Sequence, residues 1–384
     1  MEKTRIGPIV PVAPDWAPGI RQSLTFRTSI LTAYDGTEQR EALRAKGRVA
    51  LEMSDLLHGE RRQRVMADLA TRPDAVFHLA LRWRAVAVAS SASVVLSLSE
   101  IPFWMAPGLP VVLANEDTEE AAVVESVGDP QITLATAPSI TPTVVYFAYY
   151  VRLPDDPSLD ARSSRVWTSS MTFSVVPGTD PQLHREITVP QFEGEDLFLD
   201  KPNWRDAPQI GYASNRREFD PGFGVTEVDN PRSFYPRGDQ WTMTGFSVEK
   251  VEELVAFFAR HRGRRGAFRA PTWQQDITAA ATAAAGSSTL VANSSAVAQF
   301  DGDSTFQVVY AAGQVNRVTG IAASGSEALL TMQDAWDQDI TPDTKISWCP
   351  RRRFATDKIE IDWKTTQVAE MVFSTQVLPD TGGA

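Results

Sequence analysis

The chain repeats itself once, and this constrains its fold more than any other feature of the sequence. Three short patterns recur in the same order: Leu-Glu-Met at 51–53 and Trp-Thr-Met at 241–243, a tryptophan at 83 and 273, and Met-x-Phe at 171–173 and 371–373. The first two pairs have the same separation, and the third is separated by slightly more, as a longer insert in the second half would produce. The sequence therefore predicts a tandem duplication.

The shared unit begins with a strand followed by a helix. Apolar and polar residues alternate around residues 51 and 241, which is the period of a half-buried strand. The helix-like stretches cover 59–70 and 248–260. In the second, Ser247 is the expected N-cap, acidic residues crowd the first turns, and basic residues crowd the last turn before Gly263. The buried stripe of this helix is predicted to contain Val251, Leu254, Val255 and Phe258, widened by Phe257.

The phenylalanine and tryptophan that follow each helix are predicted to belong to a strand that re-enters the same core. After each tryptophan the sequence changes to short β-rich runs separated by turn residues. The runs of the first half are 86–98, 111–113, 121–127, 132–135 and 144–151. Those of the second half are 290–292, 306–311, 315–321, 328–332 and 345–349. Each half then closes with a long stretch, 165–176 and 358–378, of which the second is predicted to be two strands. The fold class is mainly β: two tandem β-sandwiches with one flanking helix, each carrying an inserted small β-barrel.

The predicted organisation has four parts. An N-terminal arm covers 1–19, and the first unit covers 20–177 with its insert at about 85–153. A connecting segment at 178–238 contains the start of the second unit, which continues over 239–384 with its insert at about 275–353. We expect residues 20–177 and 203–379 to superpose. A connection as long as 178–238 is usually functional or ordered by a partner.

No pattern in the chain indicates catalysis, a cofactor or a metal. The histidines are scattered, at His58, His78, His184 and His261, and no HxxxH or CxxC pair occurs. The only cysteine, Cys349, is expected to be a buried apolar residue. The adjacent carboxylates at 155–156 and 252–253 are typical of solvated surfaces, and residues 301–303 resemble a tight turn more than half a calcium loop. We therefore predict no catalytic, cofactor-binding or metal-binding residues, and no enzyme.

Charge bears on the choice of partner. The formal net charge of −11 argues against a surface built to bind phosphates, because such binding needs a local excess of Lys and Arg. Arginines do cluster at 260–265 and 351–353, but the first cluster follows a helix, where cations complement the backbone dipole. A charge-complementary contact between subunits is therefore favoured over direct binding to DNA. The sequence contains no apolar run of membrane-spanning length and no secretory signal, so we expect a cytoplasmic site of synthesis and no membrane anchor.

Two segments resemble tail-tip proteins of long-tailed bacteriophages. Residues 255–273, a helix ending in an Arg-Gly-Arg motif and followed by an aromatic residue and Pro-Thr-Trp, are similar to one motif of that family. Residues 32–44 are similar to a second. Together they cover a small part of the chain, and the first half departs from the motif, with Thr71-Arg-Pro-Asp where Arg-Gly-Arg is expected.

This resemblance implies a structural virion protein of the tail tip, a distal tail or baseplate hub ring, made of tail-tube-like units. Its implied partners are further copies of itself in a trimeric or hexameric ring, the tail tube protein, the tape measure protein and other tail-tip proteins. DNA would pass through the ring without specific binding, so we expect an acidic or neutral channel wall. The alternative is a receptor- or carbohydrate-binding tail module, since small β-barrels with exposed aromatic residues often have that role. An enzyme of unknown type ranks last.

Overall fold

The computed structural model describes residues 6–10, 12, 14–33, 37–71, 75–155, 158–179, 187–212, 217–220, 222–229, 237–303 and 305–380. These residues form many strands and two α-helices, α1 (Gly59–Thr71) and α2 (Val248–Arg260). The mainly β fold class is confirmed. The bounds of both helices agree closely with their predictions.

In the first half, strands β1 to β5 precede α1 and strands β6 to β13 follow it. They are β1 (Ile6–Ile9), β2 (Ile20–Thr25), β3 (Thr28–Thr32), β4 (Glu38–Ala42), β5 (Arg48–His58), β6 (Val76–Ala92), β7 (Val95–Leu98), β8 (Pro110–Ala114), β9 (Glu119–Gly128), β10 (Gln131–Leu134), β11 (Val144–Arg152), β12 (Ser158–Ala161) and β13 (Val166–Val175).

Those of the remaining chain include five short strands before the strand that leads into α2. They are β14 (Gln191–Phe192), β15 (Glu195–Asp196), β16 (Gln209–Tyr212), β17 (Arg217–Phe219), β18 (Glu227–Asp229), β19 (Arg237–Gly245), β20 (Ala267–Arg269), β21 (Thr289–Ala292), β22 (Val308–Ala311), β23 (Gln314–Ser324), β24 (Glu327–Met332), β25 (Ile346–Trp348), β26 (Arg351–Phe354), β27 (Lys358–Trp363) and β28 (Ala369–Val377).

Eight of these strands form one continuous antiparallel row that crosses both halves of the chain. Its order is β16-β19-β28-β27-β2-β5-β13-β12. The two halves meet in the middle, where β27 pairs with β2. Each half therefore contributes four adjacent strands, and in each the strand before the helix pairs with the strand that ends the half.

The central pair of each half has a matching register. Met53 of β5 lies opposite Met171 of β13, and Met243 of β19 lies opposite Met371 of β28. The repeated methionines are thus cross-strand neighbours in both halves. Their side chains point into the core, since all four are buried. A sequence repeat of this kind is what cross-strand packing would preserve, because opposite residues on one face are in direct contact.

A second layer of strands covers the core from the other side. In the first half β6 pairs with β11, whose end pairs with β13; in the second β20 pairs with β26, which pairs with β28. One hydrophobic cluster fills the space between the layers and includes residues of both halves. Helix α2 lies against it, with Ser247 as its N-cap and the predicted stripe buried. Burial of this stripe fixes the helix, since packing contributes more to helix stability than local propensity does.

The β-rich stretches that follow Trp83 and Trp273 in the sequence form further sheet structure. Strands β21-β24-β23-β22-β25 make a five-stranded sheet with its own core, which includes Trp336 and Trp348. In the first half the residues of β7, β9 and β10 pack into the main core instead. The predicted run 86–98 is not one strand but a hairpin, because Ser93 turns the chain with a φ of 55°.

The described part of segment 178–238 contains β14 to β18, and β16 belongs to the eight-stranded row, as a segment that contains the start of the second unit would. One expectation needs correction. Trp273 does not lie in a strand: β20 ends at Arg269, and Trp273 turns the chain toward the five-stranded sheet with a φ of 58°. It is nevertheless buried, at 3% exposed, and packs on Tyr310.

Candidate assembly surfaces

One face of the eight-stranded row is open to solvent. Buried and accessible residues alternate along its long strands, as in the pattern of β5, where residues 49, 51, 53, 55 and 57 are buried. The same alternation occurs on β19, β27 and β28. An antiparallel sheet of this kind packs one face on the core and leaves the other to water. We call the solvent side of this row the open face.

The open face is polar and slightly acidic. Ser, Thr and Gln make up much of it, and its charged side chains within the eight strands are five acidic residues, Glu52, Asp160, Glu360, Asp362 and Glu370, and three basic ones, Arg21, Arg48 and Lys358. Arg21 is 3.0 Å from Asp362 and 3.6 Å from Glu52. Arg21 and Lys358 therefore lie beside carboxylates, and the described face presents no cationic patch to a polyanion.

The two ends of the row are free edges within the described residues. Strand β12 pairs with β13 alone, and β16 pairs with β19 alone. Apolar side chains are exposed at the β16 end: Ile210 is 41% exposed and Tyr212 is 65% exposed. The hairpin β17–β18 and its loop add Phe219, Phe223 and Val225, all largely exposed. Unpaired edges next to exposed apolar residues are typical of surfaces that other chains cover.

The arginine cluster, in contrast, is largely bound within the chain. Arg260 pairs with Asp196, and Arg351 pairs with Glu195. Arg264 and Arg353 join the two halves: Arg264 donates to the backbone oxygen of Thr28, and Arg353 forms a two-pronged ion pair with Glu38. Most arginines of the cluster therefore form their ion pairs inside one chain. Arg265 remains exposed.

A buried ion network lies beneath the second half of the row. Asp239 pairs with Arg352 and, at 2.8 Å, with Arg237, while Arg352 stacks on Trp241 at 4.9 Å. Burial alone would raise the pKa of Asp239, but the two guanidinium groups outweigh it and hold the pKa below its ordinary value. The network is enclosed by the core, so it orders the sheet and offers no access to a substrate.

Most of the residues considered as candidates for catalysis or metal binding are buried against other side chains. Burial raises the pKa of the Cys349 thiol to about 12, so no reactive thiolate is present at neutral pH. His78 is buried against Tyr150, and His261 is buried against Phe257. His58 is exposed, while His184 and Asp156 lie outside the described residues. In the part of the chain that is described, no group of three His, Cys, Asp or Glu side chains is placed to hold a metal ion.

The remaining carboxylates have local roles. Asp303 accepts hydrogen bonds from the backbone N–H groups of Thr305 and Phe306, which makes the 301–303 segment a turn, as predicted. Glu252 forms a 2.9 Å ion pair with Arg84 in a small cleft lined by residues of both halves. Glu253 binds Lys250. The sequence had not identified the open face and the two edges as candidate sites, because strand order and pairing are needed to see them.

Comparisons with known proteins give no family assignment. Neither a scan of protein-family models nor a search of curated proteins finds a match to the chain. Over the residues described, neither α-helix has the length and apolar character needed to cross a membrane.

Proposed function

We propose that the chain is a structural protein of a bacteriophage tail tip, a distal tail or baseplate hub ring that joins the tail tube to the tip. The observation that carries the proposal is the eight-stranded antiparallel row, which has one polar, slightly acidic face and a free edge at each end of its described strands. Such a sheet suits a wall segment that further copies extend around a central channel. The resemblance of residues 255–273 to tail-tip proteins agrees with it.

The proposed ring is built from two tandem copies of one tail-tube-like unit in each chain. Matching strand orders, β2-β5-β13-β12 and β16-β19-β28-β27, support the duplication, as do the matching methionine pairs. In both halves a β-rich insert follows the strand after the helix, and we assign these inserts as small barrels. Three chains would supply six units and six chains would supply twelve, so both ring sizes are compatible with a sixfold tube.

The open face would line the channel. DNA that moves through a tail must not adhere to the wall, and each Lys or Arg contact to phosphate adds affinity through counterion release. On the open face Arg21 and Lys358 are paired with carboxylates, and most arginines of the cluster form ion pairs inside the chain. The tail tube protein and the tape measure protein are the proposed neighbours along the axis.

The alternative, a carbohydrate-binding module, has less support. A sugar platform needs accessible aromatic rings, but Trp336 and Trp348 of the five-stranded sheet are buried, and so is Trp104 of the first insert. Tyr212, Phe219 and Phe223, at the β16 edge and in the hairpin after it, are more exposed than Phe103 of the first insert, and they suit a protein contact.

Native mass spectrometry with electron microscopy of the purified full-length protein tests the ring. We expect a closed homo-oligomer of three or six copies with a central hole, whose inner wall is the open face. A protein that stays monomeric at micromolar concentration, or a ring whose channel is lined by Arg262 and Arg265, would contradict the proposal.

A further inference from the structure

We infer that Arg40 anchors a binding site for a small oxyanion, with the chemistry of inorganic phosphate, where β4 meets β26. The site lies in a contact between the two halves of the chain. It is independent of the proposed ring, in which Arg40 has no role.

Two pairs of side chains face each other at this contact. Glu38 and Arg40 are two residues apart on β4, so they lie on the same face of that strand, and Arg351 and Arg353 are related in the same way on β26. Glu38 and Arg353 join the two strands with hydrogen bonds of 2.7 and 2.8 Å. The remaining two side chains, Arg40 and Arg351, are thereby brought to one place with like charges.

The carboxylates at this contact are already bound by other arginines. Both oxygens of Glu38 accept hydrogen bonds from Arg353, whereas the Nε atom of Arg40 lies 3.9 Å from the nearer of them. Glu195, the other acidic residue close to Arg40, accepts a hydrogen bond from Arg351. Within the described part of the chain, Arg40 therefore has no carboxylate at hydrogen-bond distance.

Charge is unbalanced over the whole ion network to which this contact belongs. The network continues from Glu195 to Arg269, at 3.1 Å, and from there to Asp380, at 2.9 Å. Among the described residues its members are five arginines, Arg40, Arg269, Arg317, Arg351 and Arg353, and four carboxylates, Glu38, Glu193, Glu195 and Asp380. One positive charge is left over, and Arg40 is the arginine without a close partner.

Arg40 carries this charge in a largely buried place. Its side chain is 14% exposed, and its Nη1 atom is buried with no hydrogen-bond partner among the residues described. Burial holds the pKa of Arg40 below its ordinary value; Glu38 opposes this effect, and the charges of Arg351 and Arg353 add to it. A guanidinium donates two parallel hydrogen bonds to an oxyanion, so a bound anion would satisfy both the charge and the donor. The small exposed fraction gives access to a free ion and not to the surface of another macromolecule.

Thermal unfolding of the full-length protein in increasing inorganic phosphate tests the site, with chloride at matched ionic strength as the reference. We expect the wild-type midpoint to rise by a few degrees and to saturate at millimolar phosphate, because a ligand that binds only the folded state stabilises it. Arg40→Met should lose this saturable rise. In phosphate-free buffer the same variant should be at least as stable as the wild type, since it removes a buried charge that has no close partner.

Arg82→Met is the matched control. The Arg82 side chain is 21% exposed, similar to that of Arg40, but it forms a two-pronged ion pair with Glu119. Its loss should lower the midpoint in every buffer, and the saturable response to phosphate should remain.

Hydrogen exchange measured by mass spectrometry locates the bound ion. Phosphate should slow exchange in peptides that contain β4 and β26 of the wild type, and it should have no such effect in Arg40→Met. Sulfate should act like phosphate. Short duplex DNA at the same phosphate concentration should give no protection there, because its backbone cannot reach a site that is this enclosed.

Three results would overturn the site. The first is a rise that does not saturate and is equal in the wild type and in Arg40→Met, which is the general stabilisation by an excluded salt. The second is protection confined to peptides other than those of β4 and β26. The third is equal protection by duplex DNA, which would show that the arginines are open to a polyanion.

Discussion

At the scale of single residues, the second half of the sheet depends on a charge that is shielded from water. Asp239 is 3% exposed and lies between Arg237 and Arg352, of which Arg352 is fully buried. An ion pair at such a depth adds little over an apolar pair, but breaking it is costly because it leaves a buried charge without a counterion. The network therefore specifies how β19 and β26 meet more than it adds net stability.

Replacing Asp239 with Asn should lower the free energy of unfolding by about 3–5 kcal/mol at pH 7, because two buried guanidinium groups lose their carboxylate. Urea unfolding followed by tryptophan fluorescence measures this. The matched control is Asp362→Asn, which removes a carboxylate paired with Arg21 on the open face. That pair is exposed, so its loss should cost less than about 1 kcal/mol.

Acid should weaken the same network. The folded-state pKa of Asp239 is below its ordinary value, so the carboxylate stabilises the fold above the unfolded pKa, about 3.9. That contribution decreases as the pH falls below about 4 toward the folded-state pKa. The Asp239→Asn variant lacks this group, so its unfolding free energy should depend less on pH in that range. Equal acid dependence in the two proteins would assign the acid sensitivity to other carboxylates.

Trp273 is a buried residue whose backbone has a left-handed conformation, with a φ of 58°. The side chain packs on Tyr310 and under the ammonium group of Lys201, yet its Nε1–H has no hydrogen-bond partner among the described residues. Trp273→Ala should cost about 3 kcal/mol, the low end for large-to-small core changes, because it also removes an unsatisfied donor. The midpoint of thermal unfolding reports this. Trp204→Ala, at a site that is half exposed, should leave the midpoint nearly unchanged.

At the scale of elements, the sequence predicted what local patterns encode. Helix α2 was predicted with its bounds, its N-cap Ser247 and its buried stripe, because capping and a helical period are visible along one segment. Most inserted strands were predicted for the same reason. The open face and its edges were not, since they depend on β2 pairing with β27, which lies near the other end of the chain. Trp273 was wrongly predicted to lie in a strand, because nothing about a tryptophan indicates that its backbone is left-handed, a conformation typical of glycine.

The β16 edge gives the prediction at this scale. The double variant Ile210→Lys/Tyr212→Lys should shift the protein from ring to monomer, because lysines on an edge strand oppose pairing with another chain. The monomer itself should remain folded, since both side chains are already exposed. Native mass spectrometry measures the shift, and circular dichroism checks the fold. Val372→Lys, at an exposed position in the middle of the open face, is the control and should leave the ring intact.

At the scale of the whole molecule, the same sheet has two separate tasks in the proposed ring. Its edges determine how the copies join, and its open face, as the proposed channel wall, determines what can pass through the ring. The inner side of the row contributes to a core that both halves share, so the two halves behave as one wall segment. The charge of the open face can therefore be changed without altering the edges at which copies meet.

Reversing that charge should make the ring hold DNA. The open-face variant Ser170→Lys/Gln240→Lys/Val372→Lys adds three cations per chain to the proposed wall. The control Ser324→Lys/Ser326→Lys/Thr331→Lys adds the same charge to exposed positions of the five-stranded sheet region. We expect the wild-type ring to bind duplex DNA weakly at low salt. The open-face variant should bind more tightly, with a steeper loss of affinity as salt rises, because more counterions are released.

Blocking both DNA ends with a bulky protein shows where the DNA lies. A duplex that threads the channel cannot enter once its ends are blocked, so the open-face variant should lose most of its added affinity. The control variant binds DNA on its outer surface and should be insensitive to the block. If blocked and open duplexes bind the open-face variant equally, the open face does not line the channel, and the wall must be formed by another surface of the ring.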